Sequence, residues 1–129
     1  MSPALVTEIL ITEIDFARLS KLRDQHLSEC LDGADLVASQ AIPADVVTMY
    51  SQIELLDHTT GQPSTLTLSY PHDADPTSGS ISVCSALGAS LLGRRVGERV
   101  SWRSPQGQER AVSIQAMLFQ PEASGDYTT

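Results

Sequence analysis

The sequence predicts an α+β chain: a short N-terminal antiparallel helical hairpin, then an antiparallel β-sheet with one short helix set into it. Three observations predict it. Apolar residues recur at helical spacing as far as Ala41 and at every second position from Val47, the two periods that separate helix from strand. Pro43 stands at the change, and proline ends a helix because it lacks the N–H donor and clashes with the preceding turn. Beyond it, turn-forming clusters cut the chain into short apolar runs, and only Ala86 to Leu92 returns to a helical pattern.

Taken in order, Leu10 and Ile11 read as a short extended lead-in. Thr12 to Asp15 (TEID) is a helix start, a hydroxyl at the cap with a carboxylate three residues on. Ile14, Ala17, Leu19 and Leu22 carry that helix to about Arg23. The spacing of Ala34, Val37, Ala38 and Ala41 predicts a second helix from near Asp32, ended by Pro43. Its small apolar residues let two helices approach closely, and arms of ~10–12 residues reach only ~15–18 Å at 1.5 Å per residue. Val47, Met49, Ile53 and Leu55 alternate with Thr48, Gln52 and Glu54 as a half-buried strand. The turn Thr59 to Gln62 leads to a second strand with Leu66, Leu68 and Tyr70 on one face. A loop from Pro71 to Ser80 precedes a short strand from Ile81 to Cys84. Gly93 closes the short helix in the left-handed conformation, Gly97 turns the chain into a strand from Val100 to Trp102, and Gly88 permits close backbone approach. Leu87, Leu91, Leu92 and Val96 then face the sheet. Ser104 to Gly107 makes a hairpin, a last strand puts Val112, Ile114, Ala116 and Leu118 on one face, and a tail starts at Pro121. Two parts are expected, residues 1–42 and 43–129.

Composition narrows the function classes. With 129 residues and 41% hydrophobic content the chain suits one domain, or a small domain with a short appendage. No apolar run approaches the ~20 residues that span a bilayer, and the start MSPALVTEIL lacks the charge pattern of a secretory signal. A cytoplasmic protein is expected, with Cys30 and Cys84 reduced and Cys84 a small buried hydrophobe. The net charge of −8 argues against direct binding to bare DNA or RNA. The charges are segregated: the first 45 residues hold eight acids and three bases, and every base after Asp45 falls between Arg94 and Arg110. That polarity suits a protein partner, although ordinary surface charge explains it too.

Gly88 to Arg95 (GASLLGRR) nearly spells a phosphate loop, but arginines stand where lysine and a magnesium-binding hydroxyl are required. The glycines therefore serve geometry. His72, Asp73 and Asp75 lie in a turn-rich loop with no second cluster to complete a metal site, and read as a solvated loop. His26 and His58 are isolated, and no nucleophilic triad shows a meaningful spacing. Asp24, Glu29, Asp32 and Asp35 gather where the hairpin is expected to turn. Carboxylates at such a tip can hold magnesium for phosphoryl chemistry, and the plainer reading is a hydrated acidic tip.

The stretch ISVCSALGASLLGRRVGERVSWRSPQG resembles the C-terminal domain of the bacterial Gre-type transcript-cleavage factors, through Ser85, Leu87, Gly88, Leu91, Leu92, Gly93, Val96, Gly97, Pro105 and Gly107. Pro43 to Met49 (PADVVTM), Leu68 to Pro71 and Phe119 to Tyr127 (FQPEASGDY) are similar to the short-hairpin branch of that family, the regulators of nucleoside diphosphate kinase. The resemblance implies an FKBP-like sheet domain that docks on RNA polymerase, with indirect association with DNA through the polymerase. It implies a polymerase-binding role for Ser85, Ala86, Leu87 and Gly88, with Ala86 standing where the family carries proline. Gre factors reach the polymerase active site with tip carboxylates on much longer arms, so transcript cleavage is not assigned to Asp24, Glu29, Asp32 or Asp35. The expected protein is a non-enzymatic regulator with no cofactor, metal, membrane contact or small-molecule substrate. The alternative is a peptidyl-prolyl isomerase of FKBP-like fold, which needs an aromatic cage that a chain with 5% aromatic residues builds with difficulty.

Overall fold

A computed structural model describes residues 9–104 and 106–125. The residues before Ile9, Pro105 of the expected turn and the tail from Asp126, with Tyr127, lie outside the described residues, as do the side chains of His26, Glu29 and Cys30.

The chain starts with strand β1 (Leu10–Thr12), which runs directly into helix α1 (Glu13–Ser20). Thr12 caps that helix as its sequence predicts, its hydroxyl accepting the Asp15 amide at 3.1 Å. Helix α2 (Gln25–Asp32) follows after Arg23, whose φ of +51° turns the chain. Its position corrects the sequence reading, which placed a second helix from Asp32 to Ala41. Asp24 caps α2 through its side chain, accepting the Leu27 amide at 3.2 Å. The alanine-rich stretch instead forms strand β2 (Asp35–Val37) and a 3₁₀ turn over Ser39–Ala41. A parallel pairing to β1 takes the backbone groups of residues 35–37, with Leu10 opposite Asp35 and Thr12 opposite Val37. Small residues at helical spacing carry little apolar area to hold a helix, so the ladder wins.

The main sheet has the order β5-β4-β3-β7-β6, built from β3 (Gln52–Asp57), β4 (Pro63–Ser69), β5 (Ser80–Ser82), β6 (Arg99–Arg103) and β7 (Glu109–Phe119). Its pairings are antiparallel except β4 with β5, which run parallel. Residues 47–51, expected within the first strand, form an irregular lead-in with Tyr50 at φ +65°. Leu66, Leu68 and Tyr70 are buried on one face, as alternation predicts.

Strand β7 departs from its simple pattern. Its register against β3 shifts twice, so Ile53 lies opposite Met117 while Leu55 lies opposite Ile114. An extra residue in one strand turns every following side chain to the other face. Met117 thereby packs on the core, and Leu118, expected inside, is 50% exposed beside Phe119 at 46%.

One apolar cluster joins both ends of the chain. Ile11, Leu19, Leu27 and Leu31 of the N-terminal segment pack with Val47, Met49, Ile53, Leu68, Val83, Leu91 and Ile114. The helices α1 and α2 therefore lie against the sheet with their leucines in the common core, rather than projecting from it.

Candidate functional site

The turn from β5 into helix α3 (Ala86–Leu91) is fixed by two serines and a glycine. The Ser85 hydroxyl accepts the Gly88 amide at 3.0 Å and donates to the Ser82 carbonyl at 2.7 Å. Ser82 in turn accepts the Cys84 amide at 3.0 Å. At Gly88 a Cβ would lie 2.1 Å from the Ser82 carbonyl oxygen, so only glycine lets the helix start so close to the strand. Gly93 has φ +79° and ends the helical stretch, while its N–H donates to the Val47 carbonyl and its carbonyl accepts the Leu10 amide.

This turn forms one wall of a groove of about 650 Å³, lined by Cys84, Ser85, Ala86 and Leu87 on one side and Trp102, Arg103 and Ser104 on the other. Three of the four residues expected to bind a partner thus share its wall, and the fourth, Gly88, is buried beneath them. Trp102, Arg103 and Ser104 escaped the sequence reading. The signal was present: the chain's single tryptophan stands two residues from Val100 on a strand, hence on the same face. Cys84, expected to be buried, is only half-buried in the groove wall, and its thiol is free. Burial, then the Asp24 carboxylate, pushes its pKa up. Among the described residues, Trp102 is the one aromatic that lines the groove.

The backbone positions of the carboxylates expected at the hairpin tip are spread along α2, its cap and β2. Asp24 opens α2 and Asp32 closes it, which separates their backbones by about 12 Å at 1.5 Å per residue. Asp35 lies on β2, and Glu29 lies within α2. Among the described residues no group of three His, Cys, Asp or Glu side chains is placed to hold a metal ion. In the PHDADP loop, Asp75 accepts the Thr77 amide at 3.1 Å and hydroxyl at 2.6 Å, Asp73 accepts the Tyr50 hydroxyl, and His72 Nε2 lies 3.3 Å from Asp73. These bonds order the loop internally.

Two other carboxylates do come together, in a buried polar seam that no motif announced. Asp15 is 1% exposed and Glu122 8%. Glu122 accepts the Thr48 hydroxyl at 2.7 Å, and Asp15 accepts the Met49 amide at 3.2 Å. Burial, with Glu122 nearby, raises the Asp15 pKa to about 6 against the pull of the Met49 hydrogen bond. Beside them Gln120 donates to the Pro43 and Val46 carbonyls at 2.8 and 2.7 Å. The start of the C-terminal tail is thereby fastened to the segment from Pro43 to Met49.

Residues 42–117 match the family described as transcription elongation factor, GreA/GreB, C-terminal. The chain is 33% identical to the "Regulator of nucleoside diphosphate kinase" of Escherichia coli (strain K12), over 92% of this chain and 95% of that protein. It is 32% identical to the "Transcription elongation factor GreA" of Acidiphilium cryptum (strain JF-5), over 75% of this chain and 61% of the relative. Among solved structures, a prokaryotic transcription elongation factor GreA/GreB from Nitrosomonas europaea superposes with a TM-score of 0.73 at 30% identity, covering 88% of this chain and all of that one.

Proposed function

The chain belongs to the GreA/GreB C-terminal family of transcription elongation factors, and from that premise we propose that it is a regulator that binds RNA polymerase through the α3–β6 groove, without cleaving transcripts. The groove is the observation that carries the reading. An apolar trough with an aromatic anchor, Trp102, a leucine, Leu87, and an arginine at its rim, Arg103, has the composition in which interface energy concentrates. Arg103 is one of the basic residues gathered between Arg94 and Arg110 in a chain of net charge −8, and supplies local charge for steering a partner with acidic residues at its rim.

The absence of cleavage rests on reach and charge. Helices α1 and α2 have eight residues each, about 12 Å at 1.5 Å per residue. Asp24 and Asp32 occupy opposite ends of α2, which does not make a metal-binding pair. The regulator competes with longer-armed relatives for one polymerase surface, meets DNA only through the polymerase, and acts on nucleoside diphosphate kinase levels indirectly. Residues 43–129 form the docking unit.

Retention on immobilised core RNA polymerase tests the reading. The wild-type chain is expected to be retained at moderate salt, and Leu87→Asp to lose at least about 2 kcal/mol of binding, some thirtyfold. Wild-type flow-through, or equal retention of Leu87→Asp with an unchanged circular dichroism melt, overturns it.

A further inference from the structure

A second concavity lies away from the groove, between the last turn of α1 and the aromatic residues that flank β4. It has a volume of about 340 Å³ and is lined by Arg18, Lys21, Leu22, Tyr50, Tyr70 and His72, a size at the lower end of small-molecule sites. Three ring systems form one wall. Tyr50 and Tyr70 meet edge to face with centroids 5.6 Å apart, and His72 stacks on Tyr70 at 6.0 Å with 16° between planes. Tyr70 is 6% exposed and forms the base of the stack, whereas the His72 side chain is 74% exposed.

The opposite wall holds two exposed cations, Arg18 and Lys21, and the half-exposed Leu22. Three of the chain's eight basic residues lie in its first 45 positions, and two of them meet at this cavity. Offsetting the negative end of the α1 dipole accounts for a cation in the last turn, but not for a stacked aromatic wall facing it. Two acids near the cavity make hydrogen bonds of their own. Asp73 accepts the Tyr50 hydroxyl and lies 3.3 Å from His72, and Asp15 accepts the Met49 amide below. Arg18 lies beside the Tyr70 hydroxyl, whose pKa burial raises to about 12, so Tyr70 stays a neutral ring. A guanidinium has five N–H donors and can hold a phosphate alongside other contacts.

A planar ring against an aromatic face and an anion between two cations are the two halves of nucleotide recognition. We propose that this cavity binds a free nucleotide, its base on the His72–Tyr70 stack and its phosphates on Arg18 and Lys21. The site is independent of the groove and does not depend on polymerase binding.

The test is a titration of the full chain at low salt, followed by chemical shifts of the Tyr50, Tyr70 and His72 rings, with ADP, adenosine and pyrophosphate as separate probes. ADP is expected to saturate, with adenosine and pyrophosphate each at least about tenfold weaker, because each keeps only half of the contacts. Lys21→Ala and His72→Ala, both at exposed positions, are each expected to weaken ADP about tenfold while leaving the thermal melt unchanged. Absence of saturation by ADP overturns the proposal. So does pyrophosphate binding as tightly as ADP, which marks an adventitious anion site only, or ADP binding unchanged in both variants.

Discussion

Gln120 shows how much one side chain can hold. It is 3% exposed and donates from one amide nitrogen to two carbonyls, Pro43 and Val46, across more than seventy residues of sequence. Replacing it by alanine leaves both carbonyls without that donor, and an unsatisfied buried polar group costs roughly 1–3 kcal/mol. Gln120→Ala is therefore expected to lower unfolding stability by about 2 kcal/mol, read as a drop in urea midpoint with an unchanged slope. The same contact explains why two segments so far apart carry the family resemblance together: they touch. Their pairing was invisible in the sequence because a glutamine in a tail has no periodicity, and a motif does not say what its residues touch. Thr12 was the opposite case. A hydroxyl with a carboxylate three residues on is a legible cap, and its hydroxyl accepts the Asp15 amide.

Among the elements, α3 and its flanking strands were legible because glycine punctuation and alternation act locally. Gly88, Gly93 and Gly97 all serve geometry as expected, with the last two at positive φ. Gly88→Ala forces the new methyl group against the Ser82 carbonyl oxygen, 2.1 Å away, so α3 must move off β5 and the groove wall with it. A loss of about 3 kcal/mol is expected, in the range of severe steric substitutions, with polymerase retention reduced alongside; a variant as stable as wild type contradicts the packing described. The second helix and the end of β7 were misread for reasons that lie outside any single element. Residues 35–37 turn from helix to strand because β1 offers them a ladder, and Leu118 faces outward because a register shift arises between strands.

For the molecule as a whole, the seam of Asp15, Thr48 and Glu122 ties the first helix and the C-terminal tail to the same loop. It imposes a pH dependence. The Asp15 pKa is about 6 in the fold and about 3.9 unfolded, so the fold holds this proton more tightly. Below pH 4 both states are protonated and nothing is lost. Between pH 4 and 6 the unfolded chain releases the proton first, and stability falls by about 3 kcal/mol; above pH 6 the loss is constant. Asp75 and Asp57, held low by hydrogen bonds, pull in the opposite direction, so the difference between wild type and Asp15→Asn is the quantity to measure. That difference is expected to grow in favour of the variant from pH 4 to 6 and then level off. A difference flat across the range means that Asp15 titrates normally. None of this was readable beforehand, because Asp15 looked like an ordinary first-turn acid.

Asp24, which caps α2, also lies close enough to Cys84 to raise its thiol pKa, and Cys84 belongs to the groove wall. The turn between the two helices is thus a neighbour of the proposed docking surface rather than a remote probe. On the proposed reading, a partner seated on Leu87 and Trp102 meets that turn in the same encounter. Affinity and arm contact then cannot be tuned separately: a charge change at Asp24 alters how tightly the partner holds, and a partner that shifts in the groove drags its contact with the arm along.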